Sequence, residues 1–219
     1  MRAIDFFELN IRRSEGLLQI HRRSYSRGRP SSTQEAQDVL RAVIVFSVSA
    51  FDSYLHMRVT EVVRKIMYKH RRVPEKAVSY ITKSIKDDDL SRQLLNLSLS
   101  IQPEKRISHL LEKSLSGTTF QKPQQVEIAL RLMEIKEPWR KIDALSRYRR
   151  RSGRQAGQTS RTFLTIISNR RDDIVHEGDV YVSNRYHGKM RTIGRKYTAD
   201  SLKRFRKIVS SIEKVSEEI

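Results

Sequence analysis

Apolar residues recur at helical spacing over nearly the whole chain. Over residues 3 to 21, Ile4, Phe7, Ile11 and Leu18 fall three, four and seven positions apart, with Arg12, Arg13 and Glu15 between them, which predicts an amphipathic helix. Residues 34 to 70 predict a longer one. From Val39 to Phe51 it is apolar almost all round, the pattern of a helix surrounded by others, and the small residues Ala42, Ser47, Ser49 and Ala50 would admit close neighbours. Between residues 73 and 121, Pro74, the run Asp87-Asp88-Asp89, Pro103 and Gly117 divide short helices carrying Val78 and Ile81, then Leu90, Leu94, Leu95 and Leu97, then Ile107, Leu110, Leu111 and Leu115. Two more helices are predicted, over 126 to 136 and, after Pro138, over 139 to 148, with Trp139 as a core anchor. A helix starting at Thr159 or Ser160 carries Phe163, Leu164, Ile166 and Ile167 on one side. The last, capped by Thr198 or Asp200, carries Leu202, Phe205, Ile208, Val209, Ile212 and Val215. Residues 180 to 193 predict a basic loop or irregular hairpin before it. No strand set is large enough to build a sheet, so the expected fold class is all-α: a helical bundle forming a single domain over 1 to 219, with 73 to 138 an inserted or divergent helical region.

Charge changes this picture most. The 219 residues carry a formal net charge of +19. Such an excess concentrates polyanions around the molecule and releases counterions when phosphates bind, which points to RNA, DNA or an acidic protein as partner. Arginine dominates the densest clusters. Residues 22 to 33 hold four arginines among turn formers, with Thr33 placed to cap the next helix, and Arg147, Arg149, Arg150, Arg151 and Arg154 crowd one glycine-containing segment suited to forked phosphate contacts. Tyr25, Tyr148, Tyr181 and Tyr186 lie among arginines, an interleaving that suits base stacking beside phosphate contacts. There is no cysteine, which excludes disulfides, thiol catalysis and thiolate metal sites. No uninterrupted apolar run of about 18 residues suggests a membrane span, and no leader pattern is evident, so a cytoplasmic location is expected.

The candidate chemistry gathers in Asn169-Arg170-Arg171-Asp172-Asp173-Ile174-Val175-His176-Glu177-Gly178-Asp179, at the end of an apolar helical stretch. On a wheel with Phe163 at zero, the apolar residues centre near about 35° and Arg171 falls at about 80°, inside the stripe that should face the core. Such an arginine needs either an internal carboxylate, for which Asp52 at the edge of the long apolar helix is the candidate, or a crevice at a subunit or ligand interface. His176 lies about 140° from Arg171 on the same wheel, so a straight helix does not aim both at one point. Joint action requires the helix to loosen near His176, which Gly178 permits, or a site shared between two chains. A metal held by Asp172, Asp173, His176 and Asp179 is disfavoured because their directions diverge, and the aspartates at 87 to 89 read as helix-capping acids. No cofactor is expected.

The run Arg171-Asp172-Asp173-Ile174-Val175-His176 resembles the Arg, polar residue, three residues, His signature of the HEPN superfamily (higher eukaryotes and prokaryotes nucleotide-binding domain). With Glu177-Gly178-Asp179 after it and Ala50-Phe51-Asp52-Ser53-Tyr54-Leu55 closing the apolar run upstream, it is similar to the RiboL-PSP-type branch. The resemblance covers mainly residues 36 to 66 and 139 to 217. It implies a helical bundle that dimerises so that two motifs line one cleft, and in many members a metal-independent endoribonuclease leaving 2′,3′-cyclic phosphate and 5′-hydroxyl ends, here a toxin or defence effector. Arg171 and His176 would then be catalytic, with Asp172, Asn169, Arg170 and Asp52 in support. The residue types suit this chemistry: a histidine titrating near neutrality as base or acid, and a permanently charged guanidinium on the phosphate. The alternatives are a non-catalytic module binding nucleic acid or a nucleotide through the same cleft, and a protein whose basic surface docks an acidic antitoxin or regulator.

Overall fold

The computed structural model describes residues 1–25, 33–70, 72–84, 102–146, 159–181 and 188–219. Among them the chain forms eight α-helices and no strand: α1 (Ala3–Ser24), α2 (Gln34–His70), α3 (Glu75–Ser84), α4 (Pro103–Leu115), α5 (Pro123–Leu132), α6 (Pro138–Ser146), α7 (Ser160–His176) and α8 (Arg195–Glu217). The all-α expectation therefore holds. The aspartates at 87 to 89, the leucines at 90 to 97, the arginine cluster Arg147, Arg149, Arg150, Arg151 and Arg154, and Tyr186 all lie outside the described residues.

α2 is the axis of the bundle. It packs against α1, α4, α5, α7 and α8, and Val43, Ile44, Phe51, Tyr54, Leu55, Val59, Val63 and Ile66 are buried along it. By length and composition α2 would also span a bilayer; in this fold its apolar faces are covered by neighbouring helices. Its start is set by Thr33, whose hydroxyl accepts from the Ala36 N–H at 3.3 Å, as its place before the apolar run predicts. Phe205 of α8 joins α2 to α7 through rings at 5.3 Å from Phe51 and 5.2 Å from Phe163. Lower down, the Tyr54 hydroxyl donates to Glu213 at 2.7 Å and Arg58 pairs with the same carboxylate at 3.1 Å. Burial pushes the Tyr54 phenol well above its ordinary range and raises Glu213, against the pull of Tyr54 and Arg58.

Three expected boundaries differ, each for a local reason. α8 begins at Arg195 with Gly194 as N-cap, so neither Thr198 nor Asp200 caps it; the Thr198 hydroxyl instead donates back to the Gly194 carbonyl at 3.1 Å. α5 starts at Pro123, where a missing N–H costs nothing, and ends at Leu132, just ahead of Glu134 in the left-handed region at φ 59°. Trp139 is partly buried and packs against the core, as expected, and its indole N–H also donates to Glu127 at 3.0 Å. The hairpin expected before the last helix is present as one antiparallel bridge, Val180 to Met190, flanked by Tyr181 N–H to Lys189 carbonyl at 2.9 Å.

Candidate functional site

Thr159 caps α7 by accepting from the Thr162 N–H at 3.2 Å, and the helix runs unbroken to His176. Glu177 and Asp179 then both donate their N–H to the Asp173 carbonyl, at 3.1 and 2.9 Å. Gly178 (φ 62°) and Asp179 (φ 59°) make the left-handed turn that ends the element. Because the helix does not loosen before His176, the divergence of about 140° between Arg171 and His176 stands within one chain.

Asp179 is the hub of the motif. Its carboxylate is fully buried, and one oxygen accepts from Arg41 Nε of α2 at 2.7 Å and from an Arg170 guanidinium N–H at 2.8 Å. The same two guanidinium groups hold the connection into α8: Arg41 donates to the Arg191 carbonyl at 2.8 Å, Arg170 to the Arg191 and Thr192 carbonyls at 3.3 Å each. Arg41 also reaches Asp38 at 3.0 Å. Burial lowers the Arg170 guanidinium below its ordinary value, and Asp179 works against that shift. Arg170 is thus a largely buried strut that also lines the cleft bordered by Asn169.

Each motif carboxylate answers a different cation. Asp172 pairs with Lys122 at 3.2 Å and accepts from Arg171 at 3.2 Å. Asp173 pairs with Arg191. Asp179 is committed to Arg41 and Arg170. Among the described residues no three His, Asp or Glu side chains gather to hold a metal ion.

Arg171 lies where the wheel places it, facing inward with its side chain 20% exposed and its buried Nε–H without a hydrogen-bond partner among the described residues. Asp52 is not its counter-ion. The Asp52 carboxylate accepts from the Phe120 N–H at 2.5 Å and the Gln121 amide at 3.1 Å, and lies 3.7 Å from His56. It ties α2 to the segment before α5 and needs no arginine. His176 ends α7 exposed, with no hydrogen bond or ion pair among the described residues. Asn169, exposed and about 20° from His176 on the wheel, lines a cleft of about 510 Å³ with Ile166, Asp173, Arg191 and Tyr197. Neither Arg171 nor His176 lines it. Tyr181 is half-buried, with the Arg191 guanidinium 5.9 Å above its ring.

Two participants escape a reading of the sequence. Arg41 has a visible signal, a lone arginine inside an apolar run, which a buried carboxylate elsewhere would explain. Arg191 has none, because a basic residue in a basic loop carries no information about which acid it meets. No family model, curated protein or solved structure matches the chain.

Proposed function

We propose that this protein is a HEPN-type, metal-independent endoribonuclease that works as a homodimer, in the role of a toxin or defence effector. The observation that carries the reading is His176: a histidine at the exposed end of α7, with no hydrogen bond or ion pair among the described residues, one and a half turns after Arg171, whose buried Nε–H has no hydrogen-bond partner among them. An exposed imidazole and a guanidinium are groups that cleavage of RNA at its own 2′-hydroxyl uses.

In this mechanism one His176 takes the 2′-hydroxyl proton as the 2′-oxygen attacks phosphorus. A second His176, from the other protomer, gives a proton to the departing 5′-oxygen, and Arg171 binds the non-bridging oxygens as charge accumulates. One imidazole cannot be base and acid at once, and one α7 does not turn both side chains to one point. A two-fold pairing of α7 helices answers both needs. Val175, 45% exposed and one turn after Arg171, offers apolar surface for such pairing, whereas Ile166 lies on the opposite side of α7. The net charge of +19 supports RNA as the ligand.

The test incubates the wild-type protein, Arg171→Ala and His176→Ala with total RNA, with and without EDTA, and identifies fragment ends. The expected result is cleavage by wild type alone, insensitive to EDTA, leaving 2′,3′-cyclic phosphate and 5′-hydroxyl ends. Cleavage by folded His176→Ala protein would overturn the site. Salt-sensitive RNA binding with no product from wild type would favour the second reading, a non-catalytic nucleic-acid module, which the inward-facing Arg171 favours.

A further inference from the structure

The geometry points to a second anion site away from His176: a pocket for a phosphomonoester at the N-terminus of α8, walled by His21 and Arg195. α8 is 23 residues long, its N-cap is Gly194, and no acidic residue occupies its first turn. Glycine has no side chain to accept from the leading N–H groups, so among the described residues neither an N-cap side chain nor a first-turn acid compensates the positive end of the helix, which Arg195 and Lys196 flank.

The independent observation is His21. It lies near the end of α1, is 1% exposed, and among the described residues neither ring nitrogen has a hydrogen-bond partner. With Gly194 and Arg195 it lines a cavity of about 390 Å³. A neutral imidazole carries one donor and one acceptor, and burying either unmet is costly. A ligand seated in this cavity would meet one of them. The charged group facing His21 is Arg195 of α8; Gln37 of α2 and Tyr25 of α1, whose ring lies 5.5 Å away, are neutral walls of the same cavity. Burial first, and Arg195 second, hold the imidazole below its ordinary range. A dianion would reverse that balance and bring a proton onto the ring.

The donor set selects the ligand. A phosphomonoester presents three terminal oxygens, one each for the helix N–H groups, the Arg195 guanidinium and the His21 ring, whereas a diester offers two non-bridging oxygens. The cavity exceeds what a phosphate alone needs, and Leu40, Ile193 and Tyr25 line it with apolar surface for the group the phosphate carries. The class is therefore an organic phosphomonoester, such as a nucleoside 5′-monophosphate or the 5′-phosphorylated end of an RNA strand.

Calorimetry on the full chain tests this with four probes: inorganic phosphate, AMP, and one oligoribonucleotide with and without a 5′-phosphate. The expected result is binding of AMP or of the phosphorylated strand in preference to the unphosphorylated one. AMP binding assigns a free nucleotide, and binding of the phosphorylated strand alone assigns a strand end. Arg195→Gln and His21→Phe each weaken binding about tenfold or more, while Arg140→Gln, which removes one exposed charge on α6, changes it less than about twofold. The His21 ring protons, followed by NMR, report a raised pKa when AMP is added. Equal weakening by all three variants, or no preference for a 5′-phosphate, would overturn the site. If His21→Phe fails to fold, Arg195→Gln decides, since Arg195 is exposed. Binding is read rather than cleavage, so the outcome is independent of Arg171 and His176.

Discussion

Asp179 shows how one side chain sets the geometry of the whole motif. Replacing it with alanine leaves Arg41 and Arg170 buried without their carboxylate, a loss of about 3–5 kcal/mol for a broken buried pair, measurable by urea denaturation. Asp179→Asn keeps an acceptor and tolerates the left-handed backbone, so it should cost clearly less. His21 gives a pH signature of its own. Its folded-state pKa lies below the unfolded value, so the unfolded chain binds more protons as pH drops. The stability due to the neutral ring is complete above about pH 6.5 and is lost as pH falls through that value toward the lowered one. His21→Phe should flatten this slope; an unchanged slope would show that His21 is not its source. At this scale the sequence was only partly legible. Arg171 in the apolar stripe was visible from spacing, and its inward position follows. That Asp52 is not its counter-ion was not to be had from spacing, because a carboxylate satisfied by the Phe120 backbone and the Gln121 amide leaves no trace in residue order.

Among the elements, α2 and α7 decide where the chemistry sits. α2 brings Arg41 and Asp52 to two different tasks, one binding the turn after α7 and the other holding the segment before α5. Since Asp52 accepts from neutral N–H donors rather than from an arginine, Asp52→Asn should retain most of its stabilisation, whereas Asp52→Ala should lose roughly 1–3 kcal/mol. Thermal melts of the two variants separate the cases, and equal losses would argue for an essential charge. The helices themselves were readable because apolar period and caps act locally: Thr33 and Thr159 cap where their positions predict. The start of α8 was not. Thr198 and Asp200 are good capping residues, but Gly194 holds the boundary, where the incoming segment is fixed by the Gln37 side chain accepting from Ile193 N–H at 2.7 Å.

For the whole molecule, the divergence of Arg171 and His176 turns the proposed activity into a question about two chains. Because the proposed centre takes His176 from both protomers, an equal mixture of wild-type and His176→Ala proteins, once subunits have exchanged, should keep about a quarter of the cleavage of wild type at the same total concentration, since only about a quarter of the dimers hold two intact histidines. Retention of about half, as expected if each histidine acts alone, would exclude the shared centre. The strong positive charge adds a bulk expectation: RNA affinity should fall steeply with salt, with a log-log slope that counts the phosphates neutralised.

The order of residues by itself determined the helical class, most of the helices and the inward face that holds Arg171, because each follows from periodicity and capping over a few turns. It also determined the charge excess and the absence of thiol chemistry. Tertiary structure alone decided which ion meets which: that Asp179 unites Arg41 and Arg170 across 138 positions of sequence, that Asp52 serves a backbone N–H, and that His21 is left buried beside the open end of α8. Partners so far apart are chosen by packing, and a charge in a sequence this basic does not name its counter-ion until the fold places one beside it.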